Sequence, residues 1–282
     1  MINKKNPKAF IVGWPIEYSR SPLIHRYWLN SMKISGSYVI ESIEPEKFKG
    51  FIKNIKAREI DYVGGNVTIP YKEIIYKLVD YVTPEAEEIG AINTLWFEDE
   101  KLNATNTDYY GFSASLDEVQ PNWKKLSKAV VMGSGGASRA VVKVLCDNGF
   151  SEIHVVNRTI SRANALVDHF SCKRIYAHPL EALNEVMQRA GLFVNTIPTS
   201  IGYNDSFKID FSPLIPGAIV ADIVYIPLKT EILKQAEQQG FITVDGLGML
   251  LHQARLGFKK WFKTWPKIDD SLRSLLICDI KS

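Results

Sequence analysis

Lys72 stands in the stretch NVTIPYKEII, two residues past Pro70 and just behind the polar pair Asn66 and Thr68 that ends an apolar run. Pro70 and the pattern after it predict a helix opening near Tyr71, with Lys72 in its first turn. A helix start carries unpaired N–H groups and the positive end of the backbone dipole, so acids belong there and lysines at the far end. A lysine held at such a place has its pKa drawn down towards the range where an amine can give and take a proton. The ordinary alternative is a solvated surface charge, the usual state of a lysine.

A second constellation lies in AVVMGSGGASRAVVKVL, where an apolar strand runs into Gly133, Ser134, Gly135, Gly136 and Ala137 and a helix opens at once. Glycines let the backbone turn tightly and approach a pyrophosphate, whose charge then rests on the helix N-terminus. Ser138 occupies the place of the third fingerprint glycine and is still small enough for close packing. Glycine turns also join strand to helix without binding anything, but the strand and helix on either side favour the nucleotide reading. An NAD site usually carries an acid about 20 residues further on, at the end of the next strand. Here EIHVV runs into Asn157, Arg158 and Thr159, with Arg162 beyond. With arginine where an acid would hold a free 2′-hydroxyl, charge-assisted bonds to a 2′-phosphate are expected, and so NADP over NAD. The alternative is a solvated helix start.

The elements that must position these groups read as an α/β pattern. AFIVG is a strand, SPLIHRYWLN a helix with Ser21 as N-cap and Pro22 at its first position, and YVIESI a strand. FKGFIKNI aligns Phe48, Ile52 and Ile55 on one helical face, DYVGGNVT is a strand, and YKEIIYKLVD a helix. INTLWF and KLNATN read as a hairpin across EDEK. After a helix at 109–119 come the strands KAVVMG, EIHVVN, GLFVNT, AIVADIVY and FITVDG, separated by helical segments, and LGMLLHQARLGFKKWF is a final helix with one buried face.

With 282 residues, 46% hydrophobic and 23% charged, the chain suits two globular domains. A net charge of +3 without a long basic run gives no sign of a nucleic-acid surface. Cys146, Cys172 and Cys278 lack metal or redox spacing, so they are expected as reduced thiols and no metal site is expected. No run reaches the roughly 18 apolar residues of a membrane helix, and the start MINKKNPKAFIVG lacks a signal-peptide pattern, so a cytoplasmic location is expected.

Eight stretches in order, GWPIEYSRSPLIH, GGNVTIPYK, GAINTL, NATNTDYYGF, GSGGASR, NRT, DIVYIPLKT and DGLGMLLHQA, resemble the shikimate dehydrogenase family over essentially the whole chain. The resemblance implies an N-terminal α/β substrate domain (1–108), a Rossmann NADP domain (109–246) and C-terminal helices (247–282) that return to the first. It implies reversible NADPH-dependent reduction of 3-dehydroshikimate to shikimate, with Lys72 and Asp108 as the catalytic pair. On the same ground Ser19 and Ser21 hold the substrate carboxylate, and Thr68, Asn93, Asp108 and Gln253 hold the ring hydroxyls. Tyr225 faces the substrate, Ile223 lies beside the nicotinamide, and Gly246 closely approaches the cofactor.

Two departures from the family pattern stand out. Tyr109 follows NTD where glycine is frequent, and NTIPTSIG reads as about two residues longer than the usual N-x-T-S-x-G, so Thr199 and Ser200 receive no role. A broader quinate/shikimate dehydrogenase is the nearest alternative, and the serine pair favours shikimate because quinate carries an extra hydroxyl beside its carboxylate. A non-catalytic NADPH sensor would not need Lys72 and Asp108 together, and a folate-type dehydrogenase fits the serines poorly. A homodimer is the assembly considered.

Overall fold

The computed structural model describes residues 6–198 and 208–281. Two compact units result, Met1–Thr107 with Leu251–Asp279, and Asp108–Leu250 with Ile280–Ser282.

In the first unit β1 (Lys8–Gly13), α1 (Ser21–Ser31), β2 (Ser37–Ser42), α2 (Pro45–Lys56) and β3 (Gly64–Val67) alternate, and β4 (Tyr81–Val82), α3 (Pro84–Ile89), β5 (Thr94–Glu98) and β6 (Lys101–Thr105) follow. The sheet order is β2-β1-β3-β5-β6-β4. β1 runs parallel to both neighbours, whereas β5 runs antiparallel to β3 and β6. The expected hairpin is thus present, and Asp99 and Glu100 at its turn adopt φ of 50° and 60°, the left-handed pair whose twist suits a two-residue hairpin. Helix α2 buries Phe48, Phe51, Ile52 and Ile55 in one core with Phe10, Val12 and Val67 from the sheet. Each such side chain contributes roughly 1.5–3 kcal/mol by leaving water.

Two local expectations fail here. No α-helix follows Pro70; a turn leads instead to a single 3-10 turn at Ile75–Lys77. Tyr71 is drawn into the core, its ring stacked on Phe48 at 3.9 Å. The Lys72 carbonyl, which a helix would use internally, accepts from the Ile92 N–H at 2.7 Å. Nor is Ser21 the cap of α1: it is the first helical residue, Arg20 is the N-cap, and the Ser19 hydroxyl accepts the Ser21 N–H at 3.3 Å. Strand β4 and helix α3 were not read from the sequence, being too short to show a period.

The second unit contains α4 (Asp108–Val119), β7 (Lys128–Met132), α5 (Gly136–Asp147), β8 (Glu152–Asn157), α6 (Ile160–Phe170), β9 (Ile175–Pro179), α7 (Leu183–Val186), β10 (Leu192–Asn195), β11 (Ile219–Asp222), α8 (Glu231–Gln238) and β12 (Ile242–Val244). Its strands run parallel in the order β12-β11-β10-β7-β8-β9, the doubly wound arrangement of dinucleotide-binding folds. Strand residues alternate between two cores. Ala129, Val131, Leu192 and Val194 pack with α5 and α6 residues, while Val130, Met132 and Phe193 pack with residues of α7 and α8. Burial on both faces is why these strands read as continuous apolar runs. The edge strand β9 was missed because IYAHP carries half-exposed polar groups and ends in proline, as edges tolerate. Of NTIPTSIG, residues 199–202 lie outside the described residues.

Helix α9 (Gly246–Phe262) passes from the second unit into the first, where α10 (Asp270–Lys281) follows. The indole N–H of Trp261 donates to the Leu95 carbonyl at 2.7 Å, and that of Trp28 to the Lys267 carbonyl at 2.8 Å. Gly64 makes room for this docking: it has φ +148°, and a Cβ there would stand 2.2 Å from the Leu95 oxygen. The C-terminal helices do return to the first unit. Among the described residues no helix is long and apolar enough to cross a membrane.

Candidate active site

In the first unit the predicted substrate residues sit beside strand ends, at one helix start, in the turn after Pro70 and, for Gln253, within α9. Ser19 and Ser21 are joined by their hydroxyl-to-N–H bond at the head of α1, where N–H groups point outwards and favour an anion. Thr68 follows β3, and its N–H donates to the Val12 carbonyl at 2.9 Å. Gly13 permits this approach, since a Cβ there would meet the Thr68 methyl at 2.6 Å. Lys72 is half-buried and follows the buried Tyr71. Its backbone is fixed by Tyr71 stacking and by the Ile92 bond, so the helix-dipole argument for its chemistry lapses.

Asn93 precedes β5 and Gln253 lies on α9, and the fold brings their buried amides to 3.5 Å. Around them runs a chain of buried polar groups. Tyr38 Oη donates to Asn66 Oδ1 at 2.6 Å, and Asn66 Nδ2 donates to Thr94 Oγ1 at 3.0 Å. Thr94 Oγ1 donates to Asn93 Oδ1 at 3.0 Å, and the Thr107 N–H to the same oxygen at 2.8 Å. Sequence reading noted Asn66 only as a polar neighbour and assigned nothing to Tyr38, Thr94 or Thr107. Their partners are up to 146 residues away, so no local spacing could have pointed to them.

The second unit holds the remaining predicted residues. Asp108 is the buried first residue of α4, a favourable place for an acid. Gly133 ends β7 with φ +114°, and a Cβ there would lie 2.2 Å from Thr196 Oγ1. Gly135 is the N-cap of α5, and a Cβ on it would meet nothing within 4 Å, which leaves an open approach to the N–H groups of Gly136 and Ala137. Ser138 Oγ accepts the Gly135 N–H at 3.1 Å and meets Thr196 Oγ1 at 2.6 Å, so the small third position is closely packed. Ser134 is buried beside them. At the end of β8 Asn157 Nδ2 donates to the Thr159 carbonyl at 2.9 Å, and Thr159 is the N-cap of α6. Arg158 and Arg162 are exposed at that helix start. An open glycine cradle with arginines and no acid at the next strand end fits a dinucleotide bearing a 2′-phosphate.

Ile223 and Tyr225 follow β11, both half-buried. Gly246 is required by its neighbours, as a Cβ there would stand 2.3 Å from the Ile223 carbonyl oxygen. Asp222 fixes this segment: it accepts from Asn195 Nδ2 and the Val224 N–H, each at 2.9 Å, and from Thr230 Oγ1 at 2.6 Å. Burial pushes the Asp222 carboxyl up to about 6 against those three donors. No group of three or more His, Cys, Asp or Glu among the described residues could hold a metal ion.

Comparison with known proteins matches residues 11–95 to the shikimate dehydrogenase substrate binding domain and residues 117–201 to the shikimate / quinate 5-dehydrogenase family. An NADP+ shikimate dehydrogenase of Rhizobium rhizogenes is 55% identical over 274 residues, covering 96% of this chain and 95% of its own. The chain belongs to the shikimate dehydrogenase family.

Among solved shikimate dehydrogenases, the Thermus thermophilus enzyme in complex with NADP(H) and shikimate is 32% identical, with a TM-score of 0.81 over 97% of this chain and 99% of that one. A quinate dehydrogenase from Corynebacterium glutamicum in complex with NAD is 26% identical, with a TM-score of 0.84 over 96% of this chain and 99% of that one. Shikimate and quinate dehydrogenases therefore share this fold, and discrimination between them rests on individual side chains. The Tyr109 departure from the family pattern has a local use, since its hydroxyl donates to Asp147 at the end of α5 at 2.9 Å.

Proposed function

We propose that this protein is an NADP-dependent shikimate dehydrogenase that interconverts 3-dehydroshikimate and shikimate in aromatic amino acid biosynthesis. Identity of 55% across nearly the whole chain to a protein of that name carries the reading. Residues 1–108 are the proposed substrate and catalytic domain, 109–246 the NADP domain, and 247–282 the helices completing the first. Gly133, Ser134, Gly135, Gly136 and Ala137 would hold the pyrophosphate, Asn157, Arg158, Thr159 and Arg162 the adenosine 2′-phosphate end, and Ile223 and Gly246 the nicotinamide end. When bound, NADPH supplies the hydride.

Lys72 gives a proton to the ketone oxygen during reduction and takes it from the hydroxyl during oxidation, with Asp108 as the carboxylate that holds its charge. Ser19 and Ser21 bind the substrate carboxylate, Thr68, Asn93, Asp108 and Gln253 its hydroxyls, and Tyr225 faces the ring. A cytoplasmic homodimer is proposed, which sedimentation of the purified protein tests by its mass.

The deciding experiment follows NADPH formation from shikimate, with parallel runs on quinate and on NAD. Rapid turnover with shikimate and NADP alone supports the proposal. Comparable quinate or NAD rates move the protein to the broader quinate/shikimate branch, which the shared fold of the Corynebacterium glutamicum enzyme keeps in view.

A further inference from the structure

Cys146 and Cys172 lie too far apart in the sequence to read as a redox pair, but the second unit brings them together. Cys146 is the penultimate residue of α5, and Cys172 sits in the turn between α6 and β9. Two hydrogen bonds hold that turn against the exit of α5. The Arg174 guanidinium donates to the Phe150 carbonyl at 2.9 Å, and the Ile153 N–H donates to the Arg174 carbonyl at 2.8 Å. Phe150 in turn gives its N–H to the carbonyl of Leu145, the neighbour of Cys146, at 3.1 Å. Both cysteines pack on one core with Phe150, Ile153 and Ile175, and their thiols are within hydrogen-bonding reach of each other.

The two sulfurs are set differently. The Arg174 backbone N–H, helped by its guanidinium, holds the half-buried Cys172 thiol below the usual thiol range. Burial pushes the Cys146 thiol up to about 12, and the neighbouring Cys172 adds to the rise.

We propose that Cys172 and Cys146 form a peroxide-responsive dithiol site, in which Cys172 is the sulfur first oxidised and Cys146 the one that closes a disulfide with it. The Cys172 thiolate attacks one oxygen of hydrogen peroxide: an S–O bond forms, the O–O bond breaks, and the hydroxide that leaves takes a proton to become water. The Cys146 sulfur then attacks the Cys172 sulfenic sulfur: an S–S bond forms, the S–O bond breaks, and the departing hydroxide takes the Cys146 proton. The thiol pair gives up two electrons, and peroxide is reduced to water. The first step removes the negative charge beside Cys146, and with it part of what raises that thiol, so it prepares the second. The disulfide ties the ends of α5 and α6, the helices that start at the glycine cradle and beside Arg158, and stops Cys172 short of irreversible sulfinic acid.

The test is hydrogen peroxide treatment of the full-length protein, read by intact mass and by mapping of non-reduced peptides. The expected product is an intramolecular Cys146–Cys172 disulfide, reversed by dithiothreitol, while the exposed Cys278 on α10 remains a thiol. In Cys146→Ser the Cys172 sulfenic acid accumulates and takes dimedone, whereas in Cys172→Ser no dimedone is found on Cys146. Before any oxidant is added, iodoacetamide at pH 7 alkylates Cys172 about threefold faster than Cys278, or more. Should a serine variant fail to fold, the alanine variant carries the same expectations. No disulfide under peroxide, a disulfide that includes Cys278, a Cys172 no more reactive than Cys278, or dimedone on Cys146 in Cys172→Ser overturns the inference.

Discussion

At the scale of single residues, the proposed chemistry depends on one amine and one guanidinium. Lys72→Ala removes the proton donor and is expected to lower turnover by about 100-fold or more with cofactor affinity little changed. Near-normal kcat would remove Lys72 from the catalytic role. Arg158→Ala removes a charge-assisted contact, so KM for NADP is expected to rise about tenfold or more while KM for NAD stays within about twofold. An equal rise for both cofactors would mean that Arg158 does not read the 2′-phosphate. The residue types at both positions were visible in the sequence, but the cause first assigned to Lys72 was wrong. The segment after Pro70 is a turn pinned by Tyr71 and Ile92, and no helix dipole acts there.

At the scale of elements, the β7–α5 junction uses its glycines in two ways. Gly133 has φ +114° and faces Thr196 Oγ1, which makes it a requirement of the fold. Gly133→Ala is expected to destabilise by about 2–4 kcal/mol, read from urea melts. Gly135 has φ −86° and open space where a Cβ would go. Gly135→Ala is therefore expected to melt within about 0.5 kcal/mol of the parent. It should nonetheless bind NADPH more weakly in fluorescence titrations, because the added methyl occupies the approach to the helix N-terminus. Wild-type affinity would show that the pyrophosphate does not come close to Gly135. A glycine motif alone does not separate these uses; the φ angles and neighbours do.

At the scale of the whole molecule, the first unit carries a built-in acid sensitivity. His25 is fully buried between the rings of Tyr38, at 4.0 Å, and Phe258, at 5.9 Å, with Trp28 and Trp261 at its sides. Neither ring nitrogen has a hydrogen-bond partner among the described residues. Burial holds the imidazole down to about 3, so it stays neutral in the folded state while the unfolded chain takes a proton near pH 6.5. The contribution is intact above pH 6.5 and is lost as pH falls towards 3, at a slope of up to about 1.4 kcal/mol per pH unit. His25→Phe keeps an aromatic ring without the unpaired nitrogens. It is expected to gain about 1 kcal/mol at pH 7 and to flatten the decline between pH 6.5 and 4 in urea melts. Parallel pH profiles for parent and variant would place the sensitivity elsewhere.

Five of the six parallel strands of the second unit, the hairpin of the first and the glycine loop were readable in the sequence. Each is written in a local pattern: continuous apolar runs buried on both faces, alternation about a charged turn, and glycines at a strand end. Strand β4, helix α3 and edge strand β9 were not, because short or half-exposed elements have too few buried positions to show a period. Tertiary structure alone decided that Tyr71 enters the core and displaces a helix, that Arg20 rather than Ser21 is the N-cap of α1 with the Ser19 hydroxyl taking the Ser21 N–H, and that Thr107 meets Gln253. Those outcomes depend on which distant groups supply the partner for a buried donor or acceptor, and that choice is made only when the chain has folded.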